Sequence, residues 1–140
     1  TNKEVDMERI PTDLEILEDI YYRYYEEYKK YAKDEPDRIA RIRVPVNVKE
    51  IAEACGVEED LIFGRMFYHF NKKYSYKDER GDIITFFMSD KFEGLSVNYP
   101  LVSSVIADLS LERKRMMLFV TLSAVAVLLS VVSIGIALFL

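Results

Sequence analysis

The sequence predicts a mainly α-helical chain with a small β-hairpin, ending in a single membrane-spanning helix. Three observations support this fold class. The last 25 residues, from Met116 to Leu140, contain no charged side chain. Helix-start signals precede stretches whose apolar residues recur every three or four positions. Farther along, two β-rich runs flank a loop that contains a glycine.

Residues 1–37 are predicted to hold a tyrosine-rich amphipathic helix. Thr12 is the expected N-cap, Glu15 completes a capping box, and the helix is expected to reach about Lys33. Residues 1–39 carry 12 acidic and 7 basic side chains, a balance that repels a phosphate backbone. We therefore expect the tyrosines to be buried against the domain or a partner rather than stacked on bases. The apolar positions of this helix, spaced by three and four, are Leu14, Leu17, Tyr21, Tyr24, Tyr28 and Tyr31.

The middle of the chain predicts two short helices joined by a tight turn. Asn47 is the expected N-cap of the first helix, and Gly56 permits the left-handed turn that ends it. The second helix is expected from about Glu58 to Tyr74, and its spacing points Leu61 or Ile62, Met66 and Phe70 toward the core. The β-rich runs follow, and the loop 78–82 joins them into a hairpin.

Helix, turn, helix and hairpin in this order resemble a winged helix-turn-helix domain. It covers residues 38–99, with the wing at about 74–88. A winged helix before a C-terminal membrane segment is similar to the archaeal membrane-bound one-component transcription regulators. The resemblance implies duplex DNA binding, with the second helix in the major groove and the wing on the flanking backbone. The cationic side chains expected to contact phosphates are Arg65, His69, Lys72, Lys73, Lys77 and Arg80.

By the resemblance, six positions are expected to face the major groove of DNA, and their residues differ from those of a base-reading helix. They are Glu58, Glu59, Asp60, Leu61, Phe63 and Gly64. Acidic and apolar side chains stand where base-reading residues are expected. Residues 40–92 also carry 9 basic and 9 acidic side chains, so the module has no net charge. Phe63 and Phe67 suit a protein partner better than DNA, unless they pack on the tyrosine-rich helix.

The C-terminal part is predicted as a juxtamembrane helix, residues 100–117, followed by a transmembrane helix, residues 118–140. A helix of that length spans roughly 35 Å, enough for a hydrocarbon core of about 30 Å. Arg113, Lys114 and Arg115 directly precede it. The positive-inside rule then predicts a single-pass tail anchor whose N-terminal domain is cytoplasmic.

Small side chains form a stripe along the transmembrane helix, which predicts self-association into a homodimer. The stripe extends backward through Val102 and Val105 in the same phase, where the alternative is that these residues pack on the N-terminal domain. The stripe consists of Ser123, Ala126, Ser130, Ser133 and Ala137.

Enzymatic chemistry is not expected. The chain has one His and one Cys, so it lacks the ligands for a structural zinc site, and neither residue has a third group to orient it for catalysis. We predict no cofactor and no metal. Gln and Trp are absent and Asn is scarce beside abundant Glu, Lys and Arg, a composition typical of thermophilic archaeal proteins.

Two functions follow for this membrane-bound chain. The first is a membrane-tethered winged-helix regulator that binds duplex DNA. The alternative is a tail-anchored winged-helix adaptor, or a structural subunit of a membrane or viral assembly, that binds a protein and not DNA.

Overall fold

A computed structural model describes residues 10–32 and 35–140, and it has the predicted mainly helical class with a small antiparallel sheet. The elements in chain order are α1 (Asp13–Lys29), β1 (Arg43–Pro45), α2 (Val48–Cys55), α3 (Glu59–Gly64), a π-helical segment (Arg65–Phe70), α4 (Asn71–Tyr74), β2 (Tyr76–Lys77), β3 (Ile83–Ile84), β4 (Phe87–Asp90), β5 (Gly94–Asn98) and α5 (Tyr99–Phe139). The chain divides into two compact units, Thr1–Ile106 and Ala107–Leu140.

Helix α1 begins as predicted and ends earlier than predicted. Thr12 and Glu15 form the expected capping box, in which each side chain accepts a hydrogen bond from the other residue's backbone N–H. The C-cap is Lys30, whereas Lys33 lies outside the described residues. The buried guanidinium of Arg38 stabilises this helix end, because it donates to the carbonyls of Glu27 and Tyr28 in the last turn.

The predicted tyrosine face is only half-buried, and the deepest side chains of α1 are aliphatic. Ile16, Leu17 and Ile20 are fully buried, and of these only Leu17 belonged to the predicted stripe. Two of the α1 tyrosines pack on the ring of Tyr99, which lies at the start of α5. Its ring stacks between those of Tyr21 and Tyr28, with centroid distances of 5.3 and 4.6 Å, and its hydroxyl donates to the carbonyl of Tyr21 at 2.5 Å.

The turn between α2 and α3 is confirmed in detail. The Asn47 side chain accepts from the backbone N–H of Lys49 at 3.0 Å, and Gly56 adopts the left-handed φ of 69°. Ala52 is buried, and Ile62 rather than Leu61 enters the core. Helix α3 continues without a break through the π-helical segment into α4, which corresponds to the predicted second helix.

The strands pair differently from the single hairpin expected at 74–88. Only β2 and β3 pair there, two residues against two, around the predicted loop. Thr85 and Phe86 lie in no strand, and the run ends in Phe87 and Met88 of β4, which pairs with β5 in a second and longer hairpin. That hairpin was not predicted, and β1 joins its far side to give the strand order β1-β5-β4, antiparallel throughout. The core lies between this sheet and the helices, and its largest side chains are Phe70, Phe86 and Phe87.

Helix α5 starts one residue before the expected Pro100. Val102 and Val105 are buried within the first unit, so the packing alternative holds at these positions and they are not free to extend a self-association stripe. In the second unit the helix is exposed along its apolar length. It is long and apolar enough to cross a membrane, with a mean hydropathy of 2.6 in its most apolar window.

Candidate interaction surface

Asp13 contacts three of the basic side chains that were expected to bind DNA phosphates. Its carboxylate accepts from Arg65 at 2.5 Å, from Lys73 at 3.1 Å and from the hydroxyl of Tyr74 at 2.9 Å. The His69 ring nitrogen Nε2 lies 3.3 Å away, and Arg65 also donates to the carbonyl of Pro11. These contacts fasten the first turn of α1 to the helix that runs from α3 to α4.

The same contacts tune the acidity of Asp13. Burial alone would raise the pKa of this carboxyl, but the hydrogen bonds from Tyr74, Arg65 and Lys73 outweigh it and lower the pKa to about 2. In return, the hydrogen bond that the Lys73 ammonium donates to Asp13 raises the pKa of that ammonium. Asp13 is therefore charged at any physiological pH and offsets the cations around it.

The six predicted phosphate-contacting residues thus fall into two groups. Arg65, His69 and Lys73 lie around Asp13. Lys72, Lys77 and Arg80 are exposed, and none of the three forms an ion pair with residues 10–32 or 35–140. Among the described residues, three of the six cations thus have no anionic partner, and they lie on α4, on β2 and in the β2–β3 loop.

An apolar patch covers the outer surface of α3 and the π-helical segment. We call this surface the α3 patch, and its members are Leu61, Phe63, Phe67 and Tyr68. Leu61 and Tyr68 are 63% and 68% exposed, and Phe63 is 36% exposed. The rings of Phe63 and Phe67 stack at 5.6 Å, and the ring of Tyr68 meets that of Phe67 edge-on at 5.3 Å. Phe67 is half-buried, so the strongly exposed members of the patch are Leu61 and Tyr68, on a helix that also contributes to the core.

The two aromatic residues singled out from the sequence therefore pack on each other. Within the part of the chain that the structure describes, neither ring contacts a tyrosine of α1. Leu61 and Tyr68 were not predicted as part of this surface. The sequence could have indicated this, because Leu61 and Tyr68 are seven residues apart, about two helical turns. They therefore lie on the side of the helix away from Ile62 and Met66.

Three carboxylates border the patch where α3 begins. We call Glu58, Glu59 and Asp60 the acidic turn; all three are exposed, and none forms an ion pair with the described residues. Glu58 and Glu59, with Glu53, also line an open groove of about 320 Å³ at the turn between α2 and α3, where Lys49 supplies the one opposing charge among its lining residues. The outer surface of α3 is thus acidic at one end and apolar along its length.

Potential metal-ligating side chains are dispersed over residues 10–32 and 35–140. No group of three His, Cys, Asp or Glu residues there is close enough to hold a metal ion. Cys55 is half-buried in a groove lined by Pro11, Glu15 and Asp19, and burial raises the pKa of its thiol. A thiol with a raised pKa is a poor nucleophile at neutral pH.

In the second unit, Arg113, Lys114 and Arg115 are exposed immediately before the charge-free stretch. The serine hydroxyls of the small-residue stripe donate to carbonyls of their own helix four residues earlier, Ser123 to Phe119, Ser130 to Ala126 and Ser133 to Leu129, each at 2.8 Å. Self-association through this stripe stays a prediction.

Comparison of the chain with protein-family models, with curated proteins and with solved structures finds no match.

Proposed function

We propose that this chain is a membrane-tethered winged-helix module that binds a protein partner through the α3 patch. The observation that carries the proposal is the composition of the outer surface of α3, where three exposed carboxylates border four exposed or half-exposed apolar side chains. Apolar side chains rimmed by polar groups are typical of protein interaction sites.

The winged-helix assignment is supported by the order of elements. A helix, a strand, two helices joined by a tight turn and a hairpin occur in the order α1, β1, α2, α3, β4 and β5, with the π-helical segment, α4, β2 and β3 between α3 and β4. The first strand adds to the far side of that hairpin. In this assignment the wing is the β4–β5 hairpin rather than the predicted 74–88 hairpin, which becomes an insertion, and α1 belongs to the domain.

Membrane tethering is supported by α5, which is long and apolar enough to span a bilayer. Arg113, Lys114 and Arg115 favour a cytoplasmic position for the N-terminal domain, because cationic side chains next to a span are retained on that side. A partner bound by the α3 patch would then be held close to the membrane surface.

DNA binding is the second candidate, supported by the exposure of Lys72, Lys77 and Arg80. It is the weaker candidate for two reasons. The acidic turn stands at the end of α3 that would enter the groove, where it repels phosphates. In addition, Arg65, His69 and Lys73 already have an anionic partner in Asp13.

Site-specific photocrosslinking tests the proposal. The photoreactive residue benzoylphenylalanine replaces Phe63 in the full chain, which is expressed in cells. On irradiation of the membranes from these cells, we expect it to crosslink to one discrete protein. The same group at Tyr22, which is more exposed but lies on α1, is the matched control and is expected to capture none. Leu61→Glu should abolish capture at position 63 while circular dichroism shows an intact fold.

Two results would contradict the proposal. One is equal capture at positions 63 and 22. The other is salt-dependent binding of duplex DNA by the full chain that Lys72→Ala and Arg80→Ala weaken and Leu61→Glu leaves unchanged.

A further inference from the structure

Gly64 is a helix-interior glycine for which the fold itself gives no reason. It is the last residue of α3, and the helix continues through it into the π-helical segment. Its φ of −59° is ordinary for a right-handed helix, so its backbone does not require glycine. A Cβ built on it meets no atom within 4 Å, so internal packing does not require glycine either. A glycine in such a position costs about 1 kcal/mol of helix stability relative to alanine.

The surroundings of Gly64 suggest what the missing side chain is for. Side chains three and four residues apart are neighbours on a helix, so Asp60 and Leu61 flank Gly64 on one side, and Phe67 and Tyr68 on the other. Gly64 is therefore a low point in the middle of the α3 patch. Small residues between larger ones allow the backbone of a second helix to approach closely, with its side chains lying in the grooves on either side.

We infer that Gly64 is the close-approach point for a basic amphipathic α-helix of a protein partner, which lays its apolar face on the α3 patch and its cations against the acidic turn. This inference rests on the function proposed above and specifies the partner's chemistry. Glu58, Glu59 and Asp60 supply the charge complementarity, and the groove that Glu53 shares with Glu58 and Glu59 extends it. The same charges oppose a symmetric contact between two copies of α3, because the two acidic turns would repel.

The test uses the full chain in phosphatidylcholine nanodiscs and two synthetic fluorescent peptides. Both peptides carry the same apolar helical face; one has lysine and arginine at its flanks and the other has glutamate. Anisotropy should show that only the basic peptide binds, with an affinity that falls as salt is raised. Gly64→Ala should weaken this binding about tenfold or more, because its methyl group overpacks the contact. The same variant should unfold several degrees higher, because alanine favours the helix.

Ala54→Gly is the matched control. Ala54 is exposed on α2 and lies outside the α3 patch, so this variant should unfold at a lower temperature with unchanged peptide affinity. Empty nanodiscs control for binding of the peptide to lipid. The inference is overturned if Gly64→Ala binds the basic peptide as tightly as the unaltered chain does, or if the two peptides bind equally. If the basic peptide does not bind while position 63 still crosslinks to a protein, the inference fails and the proposed function stands.

Discussion

Asp13 connects the first turn of α1 with three successive turns of the helix that runs from α3 to α4. Arg65, His69 and Lys73 are spaced by four residues, and this spacing predicts that they share one face of a helix. The sequence cannot predict the carboxylate that meets them, because Asp13 lies more than fifty residues earlier and arrives only through tertiary packing. Three side chains with the composition of a phosphate-binding surface therefore have a structural partner inside the fold.

The lowered pKa of Asp13 predicts a loss of stability in acid. Asp13 has a folded-state pKa of about 2 against an ordinary value of 3.8. The resulting stabilisation is complete above the unfolded-state pKa and is lost as the pH falls from about 4 through 2. After allowance for solvent screening of a partly exposed cluster, we expect on the order of 1–2 kcal/mol from this carboxylate.

Asp13→Asn isolates this contribution. The difference in unfolding free energy between the unaltered chain and the variant should have its full size at pH 6 and should shrink toward pH 2, as measured by denaturant titration at each pH. Glu26→Gln is the control, since the ion pair of Glu26 with Lys29 is exposed and contributes little. A difference that stays constant over the whole pH range would show that the Asp13 contacts do not lower its pKa.

At the scale of elements, local signals predicted the helix starts, and the strand partners depended on distant residues. The caps at Thr12 and Asn47 and the turn at Gly56 are set by neighbours within four residues, so the sequence shows them directly. The second β-rich run, by contrast, contains the consecutive apolar residues Phe86, Phe87 and Met88, which do not indicate a partner strand. Strand β4 pairs with β5 because Phe87 enters the core opposite Val97, and that choice is made by packing.

The side chain of Asn71 forms hydrogen bonds with the backbone of β4 at the edge of the sheet. Its side-chain oxygen accepts from the backbone N–H of Phe87 at 2.6 Å, and its side-chain nitrogen donates to the carbonyl of the same residue at 3.0 Å. The amide thus forms the pair of hydrogen bonds that a neighbouring strand would form, and it links α4 to the sheet. An edge strand whose backbone groups are covered in this way is protected from pairing with another chain.

Asn71→Ala is expected to destabilise the domain by about 2–3 kcal/mol, because both backbone groups of the buried Phe87 lose their partner. Denaturant titration measures the loss, and hydrogen exchange should show a faster-exchanging amide at Phe87. Lys72→Ala, at the exposed neighbouring position, should change stability by less than about 0.5 kcal/mol. An unaltered exchange rate at Phe87 in Asn71→Ala would rule out this role of the side chain.

On the scale of the whole molecule, the charged residues all precede the long apolar segment at the C-terminal end of the given sequence. All 43 charged residues (19 Lys and Arg, 24 Asp and Glu) precede Met116. The sequence alone therefore predicts the long apolar helix, because a segment without charged residues is recognised without knowledge of any tertiary contact. The α3 patch could be predicted only in part, because whether Phe63 and Phe67 face solvent or another helix depends on how α1 packs.

The membrane-spanning role proposed for α5 predicts a strong response to charge in the middle of the apolar stretch. Val125 and Leu128 are exposed on the isolated helix and lie near the centre of residues 116–140. A lysine at the centre of a membrane span costs about 2.5–3.5 kcal/mol, so Val125→Lys combined with Leu128→Lys should shift much of the chain from the membrane pellet to the carbonate-extractable fraction. Ser110→Lys combined with Leu111→Lys adds the same charge to α5 before the apolar stretch and should leave the chain in the pellet. If both double variants resist extraction as the unaltered chain does, residues 116–140 are not held in the hydrocarbon core, and the tether that would bring a partner to the membrane surface is absent.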